Sequence, residues 1–241
     1  MLCGVEPAIE AKEIQVFSHY PKAPDIFKPF DVNVYRFEYY REVEELNSFF
    51  IPGTPLKRNL YWSDNIALPI PPFVKPKDKR VIGIHANGSS LSNNFWSARG
   101  QPIKDMSENF LLNLLEQIES NVPDAYFYLF CSPNEQSKII SAALKTRISN
   151  FLVVAFPDIW KSLSLVQHCD AVIGADSCIK TMSCMLKIPT MILLGNYVDV
   201  FRDENFIDPY VKDQILYAIK FCKLEDIDTE VMVKLFKEIC L

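Results

Sequence analysis

DIWKSLSLVQHCDAVIGADSCIKTMSCMLKIPTMILL, residues 158–194, alternates two helix-like stretches with two apolar, strand-like runs. Ile159–His168 spaces its apolar residues as one face of a helix, and Asp170–Gly174 (DAVIG) follows as a short continuous apolar run. Ala175-Asp176-Ser177 then opens a second helix that ends near Lys187, and Pro189–Leu194 (PTMILL) supplies the next strand. Strands linked through a helix are expected to be parallel, because antiparallel neighbours need only a short hairpin.

The same grammar extends upstream. Arg80–His85 (RVIGIH) runs into Ala86-Asn87-Gly88-Ser89-Ser90, and after a polar loop the spacing predicts a helix over Ser107–Ser120. Ala125–Cys131 (AYFYLFC) leads through Ser132-Pro133-Asn134-Glu135 to a helix over Gln136–Lys145, and Asn150–Ala155 (NFLVVA) leads through Phe156-Pro157-Asp158 to the helix already described. Strands this apolar are covered on both faces, and right-handed crossovers put helices there. The pattern predicts a doubly wound parallel α/β sheet for residues 77–241. Pro69, Pro71, Pro72 and Pro76 crowd one short stretch that continues neither a helix nor a central strand, so the domain boundary is expected there. Residues 1–76 then form a short, incomplete N-terminal α/β lobe with strands at Glu13–Ser18 and Val32–Tyr39.

Composition excludes several classes. The chain has 241 residues, 49% of them apolar, and a formal net charge of -5. That is enough chain for a sizeable core, and the acidic balance argues against nucleic acid as a partner. No apolar run approaches a membrane span, and the start lacks a basic segment followed by an apolar one, so a cytoplasmic protein is expected. The seven cysteines are spread without a Cys-x-x-Cys pair, and His19, His85 and His168 are isolated, so no metal site is expected. Cys178 and Cys184, six apart on a helix, turn their side chains apart and are expected to be reduced.

In a doubly wound sheet the ligand lies beyond the carboxyl ends of the strands. Asn87-Gly88-Ser89-Ser90 offers a glycine, an amide and two hydroxyls suited to phosphate oxygens, although such residues also make ordinary turns. Asp176-Ser177 reads equally as a helix N-cap or as a helix N-terminus facing an anion, with Lys180 on the same first turn. Lys180 in turn reads either as a ligand contact or as an i,i+4 partner of Asp176.

From Arg80 onward the chain resembles the C-terminal, nucleotide-sugar-binding lobe of the lipopolysaccharide heptosyltransferases, glycosyltransferase family 9, whose fold is the Rossmann-like GT-B type. Asp158–Leu194 is similar to the family's helix, acidic residue before a strand, Asp-[Ser/Thr]-Gly-x-x-His helix start and Gly-x-Pro-[Thr/Val] turn. Asp176 and Ser177 fall on the Asp-[Ser/Thr], Cys178 on the glycine, Thr181 on the histidine, and Lys187-Ile188-Pro189-Thr190 on the turn. Ile82–Trp96 resembles the family's first strand and phosphate loop, with Asn93 or Asn94 where a lysine precedes Trp96.

The resemblance implies a metal-independent glycosyltransferase that takes a nucleotide-diphosphate sugar as donor substrate and no separate cofactor, with an unknown acceptor. It implies donor or phosphate contacts from Asn87, Gly88, Ser89, Ser90, Asn94, Asp176, Ser177, Cys178 and Lys180. Ser132, Phe156 and Asp158 would border the base or ribose. No catalytic base is identified. A nucleotide-sugar-binding relative without catalysis and an interaction protein on the same scaffold are the alternatives, because fold does not fix function.

Overall fold

The computed structural model describes residues 15–18, 33–36, 62, 68–86, 106–175, 177–194, 210, 213–220 and 226–241. The chain divides into two compact units, one of residues 1–69 with 158–160 and one of residues 70–157 with 161–241. In the first, β1 (Gln15–Ser18) pairs in parallel with β2 (Asn33–Arg36).

The second unit is built on a six-stranded, all-parallel sheet. Its strands are β3 (Arg80–His85), β4 (Ala125–Phe130), β5 (Phe151–Val154), β6 (Ala171–Ala175), β7 (Thr190–Leu194) and β8 (Leu216–Lys220), in the order β5-β4-β3-β6-β7-β8. The chain starts in the middle, builds outward to one edge through β4 and β5, then returns to β6 and builds to the other. That is the doubly wound order, with its reversal between β3 and β6.

Among the described residues the helices are α1 (Glu108–Asn121), α2 (Gln136–Lys145), α3 (Ile159–Val166), α4 (Cys178–Met185) and α5 (Thr229–Cys240). Local chemistry sets their ends. Ser107 caps α1 by accepting from the Phe110 N–H at 3.2 Å, and Asp228 caps α5 by accepting from Glu230 and Val231. At the end of α4, Lys187 has φ 59°, its N–H donates to the Cys184 carbonyl and that of Ile188 donates to the Ser183 carbonyl. This is the Schellman ending, which normally takes glycine at the left-handed residue. Lys187 occupies the glycine slot of the Gly-x-Pro pattern, so the turn is made without the residue that suits it best.

One face of the sheet contributes Ile82, Ile84, Phe127, Leu129, Ile173, Met191 and Leu193 to a core shared with buried residues of α1, α2 and α5. Val81, Tyr128, Phe130 and Val172 alternate with these and lie buried outside that cluster, as do Leu165, Ile179 and Met182 of α3 and α4. Burial on both faces is why the strands read as unbroken apolar runs. At the amino ends of β3 and β6, Asp170 accepts the Val81 N–H at 2.8 Å and the Lys75 ammonium at 2.7 Å. The two central strands are thereby tied together at the end opposite the candidate site.

The sequence reading places α1 through β7 to within one or two residues but stops at Leu194; β8 and α5 extend the sheet and cover its inner face. Among the described residues no helix is long and apolar enough to cross a membrane.

Candidate functional site

The site begins at the reversal of strand order. There β3 connects away to β4 on one side and β6 to β7 on the other, the arrangement beyond whose carboxyl ends doubly wound sheets bind their ligands. His85 is the last residue of β3 and pairs in register with Gly174 of β6 and Phe130 of β4. A Cβ on Gly174 would lie 2.4 Å from the His85 carbonyl oxygen, so only glycine lets the strands approach this closely here.

Ser177 caps α4 from the β6 side. Its backbone is extended, its Oγ accepts the Lys180 N–H at 3.4 Å, and its carbonyl accepts both the N–H and the Oγ1–H of Thr181. The long Oγ contact is a weak cap, and the serine proton remains available to a ligand. Thr181, in the histidine slot of the family pattern, has its hydroxyl tied back to the helix. Cys178 is the first helical residue and is exposed as a residue. Local desolvation raises its thiol above the ordinary range, opposed by hydrogen bonds from the backbone N–H groups of Ile179 and Cys178 itself.

On the other side of β3, the chain leaves β4 through Cys131 and Ser132 into a single 3-10 turn, Pro133–Glu135. Glu135 folds back: its Oε2 accepts the Ser132 N–H at 3.1 Å and the Ser132 Oγ–H at 2.6 Å, while its own N–H donates to the Ser132 carbonyl. The carboxylate is thus fixed at the carboxyl edge. Burial pushes the Cys131 thiol up to about 12, with Glu135 adding to the effect. The same Glu135 charge opposes the burial that lowers His85 to about 4. Phe156, after β5, packs its ring 6.1 Å from that of Phe73. Asp158 falls with residues 1–69 in the first unit, where its Oδ1 accepts the Trp160 N–H at 3.0 Å.

Of the residues expected from sequence, Ser177, Cys178 and Lys180 stand together on the first turn of α4, and Ser132 and Phe156 leave the carboxyl ends of β4 and β5. Asn87, Gly88, Ser89, Ser90, Asn94 and Asp176 lie outside the described residues. Two polar residues at this edge escape the sequence reading. Glu135 was signalled by the Ser132-x-x-Glu135 spacing of a reciprocal cap. His85 was signalled only by closing a strand that precedes a Gly-Ser loop. Among the described residues no group of three or more His, Cys, Asp or Glu side chains could hold a metal ion.

No protein-family model and no curated protein matches the chain. Solved structures do. E. coli ADP-heptose lipopolysaccharide heptosyltransferase II superposes with a TM-score of 0.52 at 14% identity over 68% of this chain. The glycosyltransferase family 9 protein of Veillonella parvula gives a TM-score of 0.52 at 11% identity, also over 68%. This chain spans about half of those proteins, 47% of each. At these identities the likeness is one of fold: this chain carries the Rossmann-like GT-B lobe seen in family 9 glycosyltransferases.

Proposed function

We propose that this chain binds a nucleoside diphosphate, and the sugar it carries, at the carboxyl ends of β3 and β6, and that it acts as a glycosyltransferase toward an acceptor of unassigned chemistry. The observation that carries the reading is the start of α4 at the switch point, where helix N–H groups, the Ser177 hydroxyl and Lys180 share one turn. The E. coli protein of like fold is named for ADP-heptose, so ADP is the first nucleotide to test.

Departure of a nucleoside diphosphate from a sugar puts negative charge on the diphosphate as the glycosidic bond breaks. Catalysis requires donors that meet that charge better than they meet the intact donor. The positive end of α4 is fixed before the ligand arrives, so it needs no reorganisation at that moment. Lys180 would add a cation, and Ser177 would add a hydroxyl donor. Ser89, Ser90, Asn87, Gly88 and Asn94 would complete the phosphate side from the loop after β3, with Asp176 orienting the turn. On the β4 and β5 side, Ser132 and Phe156 would meet the base and ribose.

A thermal-shift screen with ADP, UDP, GDP, dTDP and their sugars tests binding, since a ligand of the native state raises apparent stability by RT ln(1 + [L]/Kd). Release of free sugar from the best donor then tests bond cleavage. A melting-temperature rise with one diphosphate series, followed by donor hydrolysis, is expected. No shift with any of them would end the nucleotide reading, and a shift without hydrolysis at any protein concentration would end the enzymatic one.

A further inference from the structure

We propose that His85 presents an Nε2–H donor to a phosphoryl oxygen of the ligand held at the switch point, an inference that rests on the nucleotide-binding reading above. The carrying observation is an orphan: His85 Nδ1 is a sealed side-chain nitrogen or oxygen without a hydrogen-bond partner. An N–H buried without an acceptor is disfavoured more strongly than an unused lone pair, so the proton of the neutral ring belongs on the other nitrogen.

Position gives that donor a use. His85 closes β3, next to Gly174 of β6, at the point where the strand order reverses. The residue as a whole keeps partial exposure although its Nδ1 has none, so the exposure lies off that nitrogen. Burial lowers the ring to about 4, so near neutral pH it offers a single N–H and no second positive charge. Among the described residues Glu135 is the charged group that acts on the ring, and its Oε2 already accepts twice from Ser132. An acceptor richer in charge than water, such as a phosphoryl oxygen, satisfies the donor and leaves the Nδ1 lone pair where it is.

The test uses imidazole nitrogen spectra of the whole protein, whose three histidines make assignment direct by substitution, with ADP, inorganic pyrophosphate and adenosine as probes. The ring of His85 is expected to carry its proton on Nε2, and ADP and pyrophosphate are expected to move the Nε2 signal while adenosine does not. His85→Gln, which keeps a polar group at the Nε2 position, should bind ADP within about twofold of the wild type, whereas His85→Asn, which keeps only the Nδ1 position, should lose about tenfold or more. A proton on Nδ1, an unmoved Nε2 signal on ADP binding, or equal affinity in His85→Asn would overturn the proposal while leaving nucleotide binding in place. Pyrophosphate binding that moves Nε2, with no binding of ADP, would support the donor and sink the nucleotide reading. Failure of both probes to bind would overturn both.

Discussion

Gly174 lies so close to the end of β3 that a Cβ placed on it would stand 2.4 Å from the His85 carbonyl oxygen and 3.0 Å from the His85 nitrogen. Both atoms are backbone, and they sit in a register with neighbours on either side, so neither strand can retreat alone. Gly174→Ala should therefore destabilise the protein by about 1–3 kcal/mol, as overpacking does. Urea unfolding would read this as a lower midpoint at unchanged slope. A midpoint equal to the wild type would mean the strands are not held in this register.

Ser177 separates capping from ligand contact. Ser177→Ala removes the weak α4 cap and should cost about 0.5 kcal/mol of stability. Ser177→Asp keeps a capping oxygen but adds a negative charge beside the proposed phosphate, so it should hold near-native stability while weakening ADP binding about tenfold or more. Calorimetric titration alongside thermal unfolding checks both. Near-native ADP affinity in the aspartate variant would place the diphosphate elsewhere.

Lys180 gives the complementary reading. A cation on the first turn of a helix is unfavourable by about 0.3–1 kcal/mol unless an anion is near. Lys180→Ala should weaken nucleoside-diphosphate binding by about 1–3 kcal/mol. If its role is instead an i,i+4 contact with Asp176, stability falls slightly and affinity stays put.

At the other end of α4, Lys187 adopts φ 59° in a Schellman ending. Lys187→Gly relieves the left-handed conformation and should raise stability by about 0.5–1 kcal/mol. A loss of stability would show that the lysine's own contacts outweigh its backbone strain.

The pH dependence follows from His85, whose ring titrates near 4 in the fold and near 6.5 when free. As pH falls below 6.5 the unfolded chain takes up the proton and the native state does not, so this contribution is complete above that value and is lost between 6.5 and about 4. The slope approaches about 1.4 kcal/mol per pH unit from this group alone. His85→Gln should flatten the unfolding free energy across that window relative to wild type. Parallel curves for the two proteins would contradict the buried neutral ring.

What was legible in the sequence was what one physical rule determines. Strands β3, β4, β6 and β7 are buried on both faces, so RVIGIH, AYFYLF and TMILL show as continuous apolar runs, and the helices between them carry one apolar face each. Ser177 was readable as a helix start, as N-cap or anion contact alike, because a hydroxyl stands there just before an apolar helical period. β8, Leu216–Lys220, was not, since an edge strand of five residues ending in lysine lacks that signature. α5 was readable in principle: Asp228 caps it and Met232, Val233, Phe236 and Cys240 are buried along it. The site was harder. A buried nitrogen without a partner, as at His85, depends on neighbours from β4, β6 and the turn at Glu135, which no local pattern places together.

The most direct test of nucleotide binding at the carboxyl edge of β3 and β6 is photocrosslinking with 8-azido-ADP followed by peptide mapping. Labelled peptides are expected to come from the loops after β4 and β5 or from the start of α4, and unlabelled ADP should compete. Labelling confined to the amino edge, around Asp124 or Asp170, or labelling that ADP does not displace, would contradict the site.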